Sequence, residues 1–474
     1  MKKIFLLLAI ASVTLFTACY DDDDEPNTQE NSSVVSIESS STFSPKEMAT
    51  AIANSAYVQD YLGGSNLFTL AVNSMCQVTA AGNGLHLDTL FAKKEGSFLL
   101  TYKRSWHIES YTFNYRSVSS KGEPIMLSGR VSFPKGDKYD EHQVKSLSLY
   151  AHAMANAAGV PSRSVQPAIL RTLFNSAVIE PDYQGYGIAQ GNNYPGFSSE
   201  VLAQQMTDCI MAALEVMKSN GVTLAKGGYS TAWGNSVAAP AILGFARYYD
   251  EKMSDDDKAK INLKSVSISN GVLLSDQMVQ YFDQHQLYNP ELTAYVLPFI
   301  NAMPGLVLEG YALKDLAPEW MQYQIVDING ESCSFFYAMT NGLEYRSVWP
   351  KEYRVSMLKN HFAAEMFNDK GRFNYSNVKT MLLMNILHGV SDWGGWQPSM
   401  DVYMTHSKFD DRMPYSQAEA FASSKSASRN VHFKDVKLPT SNLVSLSSHR
   451  NLCANSLLTS LRYEDPAKAY KKTE

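Results

Sequence analysis

Between Lys226 and Asp250 the chain reads K-G-G-Y-S-T-A-W-G-N-S-V-A-A-P-A-I-L-G-F-A-R-Y-Y-D, and no other stretch limits the possible folds so tightly. Gly227-Gly228 predict a turn, and Tyr229 to Trp233 carry the β-favouring residues of a buried strand. Gly234-Asn235-Ser236 form a corner, and Val237 onward has the apolar spacing of a helix lying on a sheet. A serine on such a corner has its hydroxyl pushed clear of the chain. The first N–H groups of the following helix lack intrahelical partners and point the same way.

Two serines fit this pattern loosely, because Gly228-Tyr229-Ser230-Thr231-Ala232 and Gly234-Asn235-Ser236-Val237-Ala238 both read G-x-S-x-A. Were Ser230 the corner, its helix would run through Gly234 and then Pro240. A proline well inside a helix removes a hydrogen bond and clashes with the preceding turn, at a cost of about 3 kcal/mol. With Ser236 as the corner, Pro240 falls in the first turn, where its missing N–H costs nothing. Ser236 is therefore placed first, with Ser230 as the alternative.

The surrounding pattern alternates strands and helices. Trp106 to Phe133 predicts two antiparallel strands joined at Ser119–Glu123. Buried runs follow at Val144–Ala151 and Ser176–Glu180, then a helix over Ser199–Lys218 with Leu202, Met206, Cys209, Ile210, Ala213 and Met217 on one face. Ile261–Ser269, Asp401–His406 and Asn430–Leu438 read as further strands, with a helix through about Ser424 between the last two. Such alternation predicts an α/β fold with a mostly parallel sheet covered on both faces. Expected divisions are a leader over 1–18, a polar tether over 19–44 and a small helical segment over 45–105. The core spans 106–273 and 396–474, and a helical cap insertion occupies 274–395.

The chain has 474 residues, 45% of them hydrophobic, and a net charge of −6. That is enough for a large core, and it provides no basic face for nucleic acid. The start, Met1-Lys2-Lys3 followed by Ile4–Phe16, is a charged and then apolar leader too short to span as a mature helix. It ends in Leu15-Phe16-Thr17-Ala18-Cys19, which resembles a bacterial lipobox. That resemblance implies lipidation of Cys19, attachment to a membrane through the lipid and, with the acidic run Asp21–Glu25 following, display on the outer cell face of the outer membrane. The other cysteines, Cys76, Cys209, Cys333 and Cys453, show no C-x-x-C spacing, so neither a metal site nor a redox motif is expected.

Several segments together resemble the α/β-hydrolases, specifically the secreted lipase and acyl-esterase branch. The elbow at Ser236 is one. P-D-Y-Q-G-Y-G at 181–187 is similar to that branch's P-D-Y-x-G-x-G segment, and D-D-R-M-P-Y at 410–415 resembles its acid turn. Where the branch has glutamine and glycines after the serine, this chain has Val237-Ala238-Ala239. The resemblance implies a nucleophile, an acid and a base in the chain order Ser236, Asp410, His449. Asp411 is the alternative acid, with Asp435 weaker. Among ten histidines, His449 lies in the loop after the last strand, His432 lies inside that strand and His406 precedes the acid. The implied oxyanion donors are the backbone N–H groups of Val237 and Ala153. Neither cofactor nor metal is implied.

The insertion is rich in Met and aromatic side chains, among them Tyr281, Phe282, Trp320, Phe335 and Trp349, which suits an apolar acyl or aryl group. The expected activity is hydrolysis of small to medium carboxylic esters through an acyl-enzyme. Three other readings stay open: a carbohydrate esterase of the acetyl or feruloyl kind, a serine peptidase on the same fold, and a surface lipoprotein that binds glycan or lipid on a scaffold without activity. The sequence leaves the oligomeric state unassigned.

Overall fold

The computed structural model describes residues 32–54, 85–86, 99–100, 106–136, 142–151, 167–189, 200–271, 273–284, 325–326, 332–333, 366–370, 372–408, 410, 413–425 and 428–435. The leader with Cys19, Ala153, Asp411, His449 and most of the expected cap lie outside these residues.

Nine strands form one sheet. In chain order they are β1 (Val34–Phe43), β2 (Trp106–Val118), β3 (Pro124–Gly136), β4 (His142–Ala151), β5 (Ser176–Pro181), β6 (Val222–Asn235), β7 (Leu263–Ser269), β8 (Asp401–His406) and β9 (Val431–Asp435). Their spatial order is β1-β2-β3-β5-β4-β6-β7-β8-β9. Pairings from β1 to β5 are antiparallel, and those from β5 through β4 to β9 are parallel. Two short strand pairs, Leu85–His86 with Leu99–Leu100 and Ile325–Val326 with Ser332–Cys333, stand apart from it.

The β2–β3 hairpin runs in register from Trp106↔Gly136 to Val118↔Pro124. Its turn closes where expected: Ser119 donates its N–H to the Glu123 carbonyl at 2.8 Å, and Gly122 takes a positive φ of 76°. The parallel half is made from the apolar runs, whose side chains are buried on both faces.

The α-helices among the described residues are α1 (Pro45–Ala53), α2 (Glu200–Ser219), α3 (Ala239–Glu251), α4 (Asp255–Ile261), α5 (Ser275–Gln284), α6 (Val378–Val390) and α7 (Tyr415–Ser424). The expected apolar stripe of α2 is buried in full, Leu202, Met206, Cys209, Ile210, Ala213 and Met217 included. Each large side chain there stabilises the packing by about 1.5–3 kcal/mol. Gly129 of β3 lets the helix come close, since a Cβ on it would stand 2.7 Å from the Cys209 sulfur. On the other face of the sheet, a 3-10 helix at Pro167–Phe174 lays the Arg171 guanidinium 4.7 Å from the Trp233 ring, which itself stacks on Tyr150 at 4.7 Å.

Two expectations are corrected. Residues 34–43, read as tether, form edge strand β1. Polar pairing holds it rather than apolar burial: Asn114 donates to Ser36 and Glu38 at 3.1 and 2.6 Å, and the Glu215 carboxylate accepts the Ser33 and Val34 N–H groups. The Ser-rich stretch from Ser36 to Ser41 reads as tether, although Val34, Val35 and Ile37 at its start are β-favouring residues. Gly227-Gly228 do not precede the strand but lie within it. The β4–β6 register jumps from Val144↔Leu224 to Ser146↔Tyr229, so the glycines sit in a bulge, with Gly227 at φ 75°.

The polar segment then leads into α1 through a complete capping box. Glu47 donates its N–H to the Ser44 hydroxyl, and its carboxylate accepts the Ser44 N–H at 2.8 Å.

Candidate active site

Three neighbouring strands define the site. Asn235, Ser269 and Thr405 are aligned across β6, β7 and β8. The residues that follow β6 and β8 therefore leave the same edge of the sheet, with their strand axes about 10 Å apart.

Ser236 immediately follows β6. It adopts φ +56°, a left-handed backbone that a side chain with a β-carbon rarely takes, and it is 6% exposed. Such a conformation costs on the order of 1–3 kcal/mol and persists only where the surroundings impose it. The chain then makes one 3-10 turn, Ser236–Ala238, before α3 begins. Pro240 falls in the first turn of α3, as the sequence argument requires. Val237, whose backbone N–H is an expected oxyanion donor, lies in that 3-10 turn.

The turn is tight because its neighbours are small. A Cβ on Gly271 would stand 2.3 Å from the Cβ of Ala239. Ala238 occupies the position where the resembling branch has glycine. Its φ of −79° and ψ of −16° are ordinary for alanine, and it is fully buried, so glycine's conformational freedom is not needed there.

Ser230 sits inside β6, six residues before the corner. The residue is 3% exposed and its hydroxyl donates to the Ile261 carbonyl at the end of α4, which gives it the role of a strand-to-helix tie.

The acid turn leaves β8. Asp410 donates its N–H to the Ser407 carbonyl at 3.2 Å, and its Oδ1 accepts the Met413 N–H at 2.8 Å. Asn270, just past β7, has φ +46° and accepts the Ser407 N–H at 3.2 Å while donating its own N–H to the Thr405 carbonyl. His406 contacts the Met413 carbonyl through Nε2 at 2.9 Å. The sequence reading missed Asn270. Its one signal was an asparagine at a strand end, a residue type enriched at positive φ.

His432 lies elsewhere. Its Nε2 is 2.9 Å from the carboxylate of Asp401, the first residue of β8, so the pair sits at the opposite end of that strand from Asp410. Asp435, the weaker acid, ends β9 with Lys408 at 3.9 Å.

The roots of the insertion are fastened to this edge. Gln417 of α7 accepts the N–H groups of Leu273 and Leu274 at 2.8 and 3.1 Å and donates to the Gly271 carbonyl at 3.0 Å. On the returning side the Trp393 indole donates to the Leu273 carbonyl, and the buried Lys425 ammonium donates to the carbonyls of Trp393, Gly394 and Trp396. Asp283 of α5 accepts from the Phe373 N–H and the Tyr375 hydroxyl.

The 181–187 segment has a structural explanation. Asp182 is fully buried and accepts the Ser128 hydroxyl at 2.7 Å. Gly185 and Gly187 take φ values of 93° and 58°. Beside it, Glu180 pairs with Arg130 at 2.6 Å, and burial pushes its carboxyl up to about 7 against the pull of the guanidinium.

Among the described residues no group of three or more His, Cys, Asp or Glu side chains is placed to hold a metal ion.

No family model matches the sequence, and no curated protein matches it. Solved structures do match. A candidate hydrolase from Legionella pneumophila aligns over 92% of this chain and 100% of its own, at 13% identity and a TM-score of 0.59. The rice cell wall degrading esterase LipA of Xanthomonas oryzae, in a ligand-bound form, aligns over 92% of this chain and 99% of its own at 13% identity and a TM-score of 0.58. Another structure of that esterase gives 16% identity over 82% of this chain and 98% of its own, with a TM-score of 0.56. With the sheet order above, these likenesses establish the α/β-hydrolase fold.

Proposed function

We propose that this chain is a serine hydrolase of carboxylic esters, with Ser236 as nucleophile, Asp410 as acid and His449 as base. The observation that carries the reading is the backbone of Ser236. A left-handed serine at the sharp corner between a central parallel strand and a buried helix has the backbone geometry a nucleophile elbow needs. Asp410, held by the Met413 N–H two strands away on the same sheet edge, supports the order of the triad.

In this mechanism His449 takes the Ser236 proton as the oxygen adds to the ester carbonyl. The tetrahedral oxyanion is met by the N–H of Val237 and that of Ala153. The alcohol leaves with the proton from His449, and water, deprotonated by the same imidazole, then releases the acid.

Small to medium apolar acyl or aryl esters are the proposed substrates, with the Met- and aromatic-rich insertion as cap. Cys19 is the proposed lipid attachment, placing the enzyme on the outer cell face. A second reading, esters carried on a polysaccharide, is retained because the LipA structures are of a rice cell wall degrading esterase.

Hydrolysis of p-nitrophenyl acetate, butyrate, hexanoate and decanoate beside an acetylated oligosaccharide tests both. Burial at about 0.8 kcal/mol per methylene should raise kcat/KM from acetate to hexanoate. Preference for the acetylated sugar would instead favour the polysaccharide reading.

A further inference from the structure

We infer that His406 is a positioning residue for the acid, holding Asp410 in place through Met413; this rests on Asp410 being the acid of the triad. His406 is the last residue of β8 and only 1% exposed. Its Nε2 stands 2.9 Å from the Met413 carbonyl oxygen. A carbonyl only accepts, so the ring nitrogen there carries the proton and donates.

Met413 is thereby held from both sides. Its carbonyl receives the imidazole N–H, while its own N–H goes to Asp410 Oδ1 at 2.8 Å. That second bond commits one carboxylate oxygen of Asp410 and restrains where the group can turn. The Tyr415 ring packs edge-on against His406, with centroids 5.9 Å apart, which limits rotation of the imidazole. The base of the same turn is closed separately: Asp410 N–H to the Ser407 carbonyl, and Ser407 N–H to Asn270 Oδ1. His406 thus ties the far end of a turn whose near end is already fixed. Without it, Met413 can swing outward and take its N–H away from the carboxylate. A buried imidazole at a strand end is costly unless it makes such a bond, so an apolar residue would be the simpler choice if packing were the only demand.

The test compares His406→Asn with His406→Gln in the full chain, with Asp410→Asn alongside. The Gln amide nitrogen can occupy the place of Nε2, whereas that of Asn stops short of it. kcat and KM on p-nitrophenyl butyrate are measured per site titrated with a fluorophosphonate, so that loss of folded protein does not enter. His406→Asn should lose about 10- to 100-fold in kcat with KM within about twofold, and His406→Gln should recover most of it. His406→Phe, which keeps the ring contact with Tyr415 but lacks the N–H, should fall with Asn, and it serves if Asn does not fold. Equal kcat in the Asn and Gln variants, parental or reduced, overturns the positioning role, as does parental kcat in Phe. Parental turnover by Asp410→Asn would instead overturn the assignment of the acid itself.

Discussion

Gly234 and Ala238 meet across the elbow: a Cβ on Gly234 would stand 2.8 Å from the Ala238 carbonyl oxygen and 2.9 Å from Ile242. The strand that delivers Ser236 and the helix that leaves it pack closer than any other residue at 234 permits. Gly234→Ala is expected to push α3 off the sheet, lowering stability by about 1–3 kcal/mol and slowing serine labelling. Ala238→Gly should keep labelling and lose about 0.5–1 kcal/mol, because its backbone is already ordinary for alanine. Chemical denaturation and a labelling time course measure both.

Ser230→Ala removes a buried donor from the Ile261 carbonyl without touching the corner. Stability should fall by about 1–3 kcal/mol, as for a buried acceptor left unpaired, while ester turnover per folded molecule stays parental. Loss of turnover at parental stability would argue for Ser230 as nucleophile.

Gly187 tests the 181–187 segment as scaffold. A Cβ there would lie 2.2 Å from the Ser128 hydroxyl and 2.5 Å from the Asp182 carboxylate, at a φ of 58°. Gly187→Ala should break the Asp182–Ser128 contact and destabilise the fold by more than about 1 kcal/mol. A thermal melt matching the parent would contradict this.

Glu180 gives a pH dependence whose sign follows from its raised pKa. Between the unfolded value, about 4.5, and the folded value, about 7, the unfolded chain has lost a proton that the folded chain keeps. Rising pH therefore favours unfolding across that window and has no further effect through this group above it. Glu180→Gln should remove the decline, so the variant gains on the parent by up to about 3 kcal/mol from pH 4.5 to pH 7. If denaturation at pH 5 and pH 8 shows the variant losing ground at the higher pH, the pair with Arg130 keeps the carboxylate charged throughout.

Much of this fold is legible in the chain because burial writes itself as apolar runs. Val144–Ala151, Ser176–Glu180 and the α2 stripe needed no structure to place, and Pro240 alone separated the two serines by where a helix tolerates it. Other features leave no such trace. β1 is a largely exposed strand whose second half is mostly Ser and Thr, held by ladder bonds and by Asn114 and Glu215 from elsewhere in the chain. Gly227-Gly228 have the composition of a turn, and only pairing with β4 makes them a bulge. Asn270 and His406 act through backbone groups of Ser407 and Met413, and a bond to a backbone atom puts no constraint on the neighbour's identity that a sequence could reveal.

For the base, kcat/KM is expected to rise with pH through an apparent pKa of about 6.5–7, the range of an unperturbed imidazole that must be neutral to accept the serine proton. His449→Ala should lose that limb with most of the activity. His432→Ala should keep both, since His432 is engaged with Asp401 at the far end of β8. A pH–rate profile unchanged in His449→Ala would assign the base elsewhere.

The most direct test is the site of covalent labelling. The protein is treated with a fluorophosphonate, digested, and the adduct located by peptide mass spectrometry, with Ser236→Ala and Ser230→Ala run in parallel. The expected adduct is on Ser236, present in Ser230→Ala and absent in Ser236→Ala. An adduct on Ser230, or no adduct on the folded parent, would contradict Ser236 as an activated nucleophile.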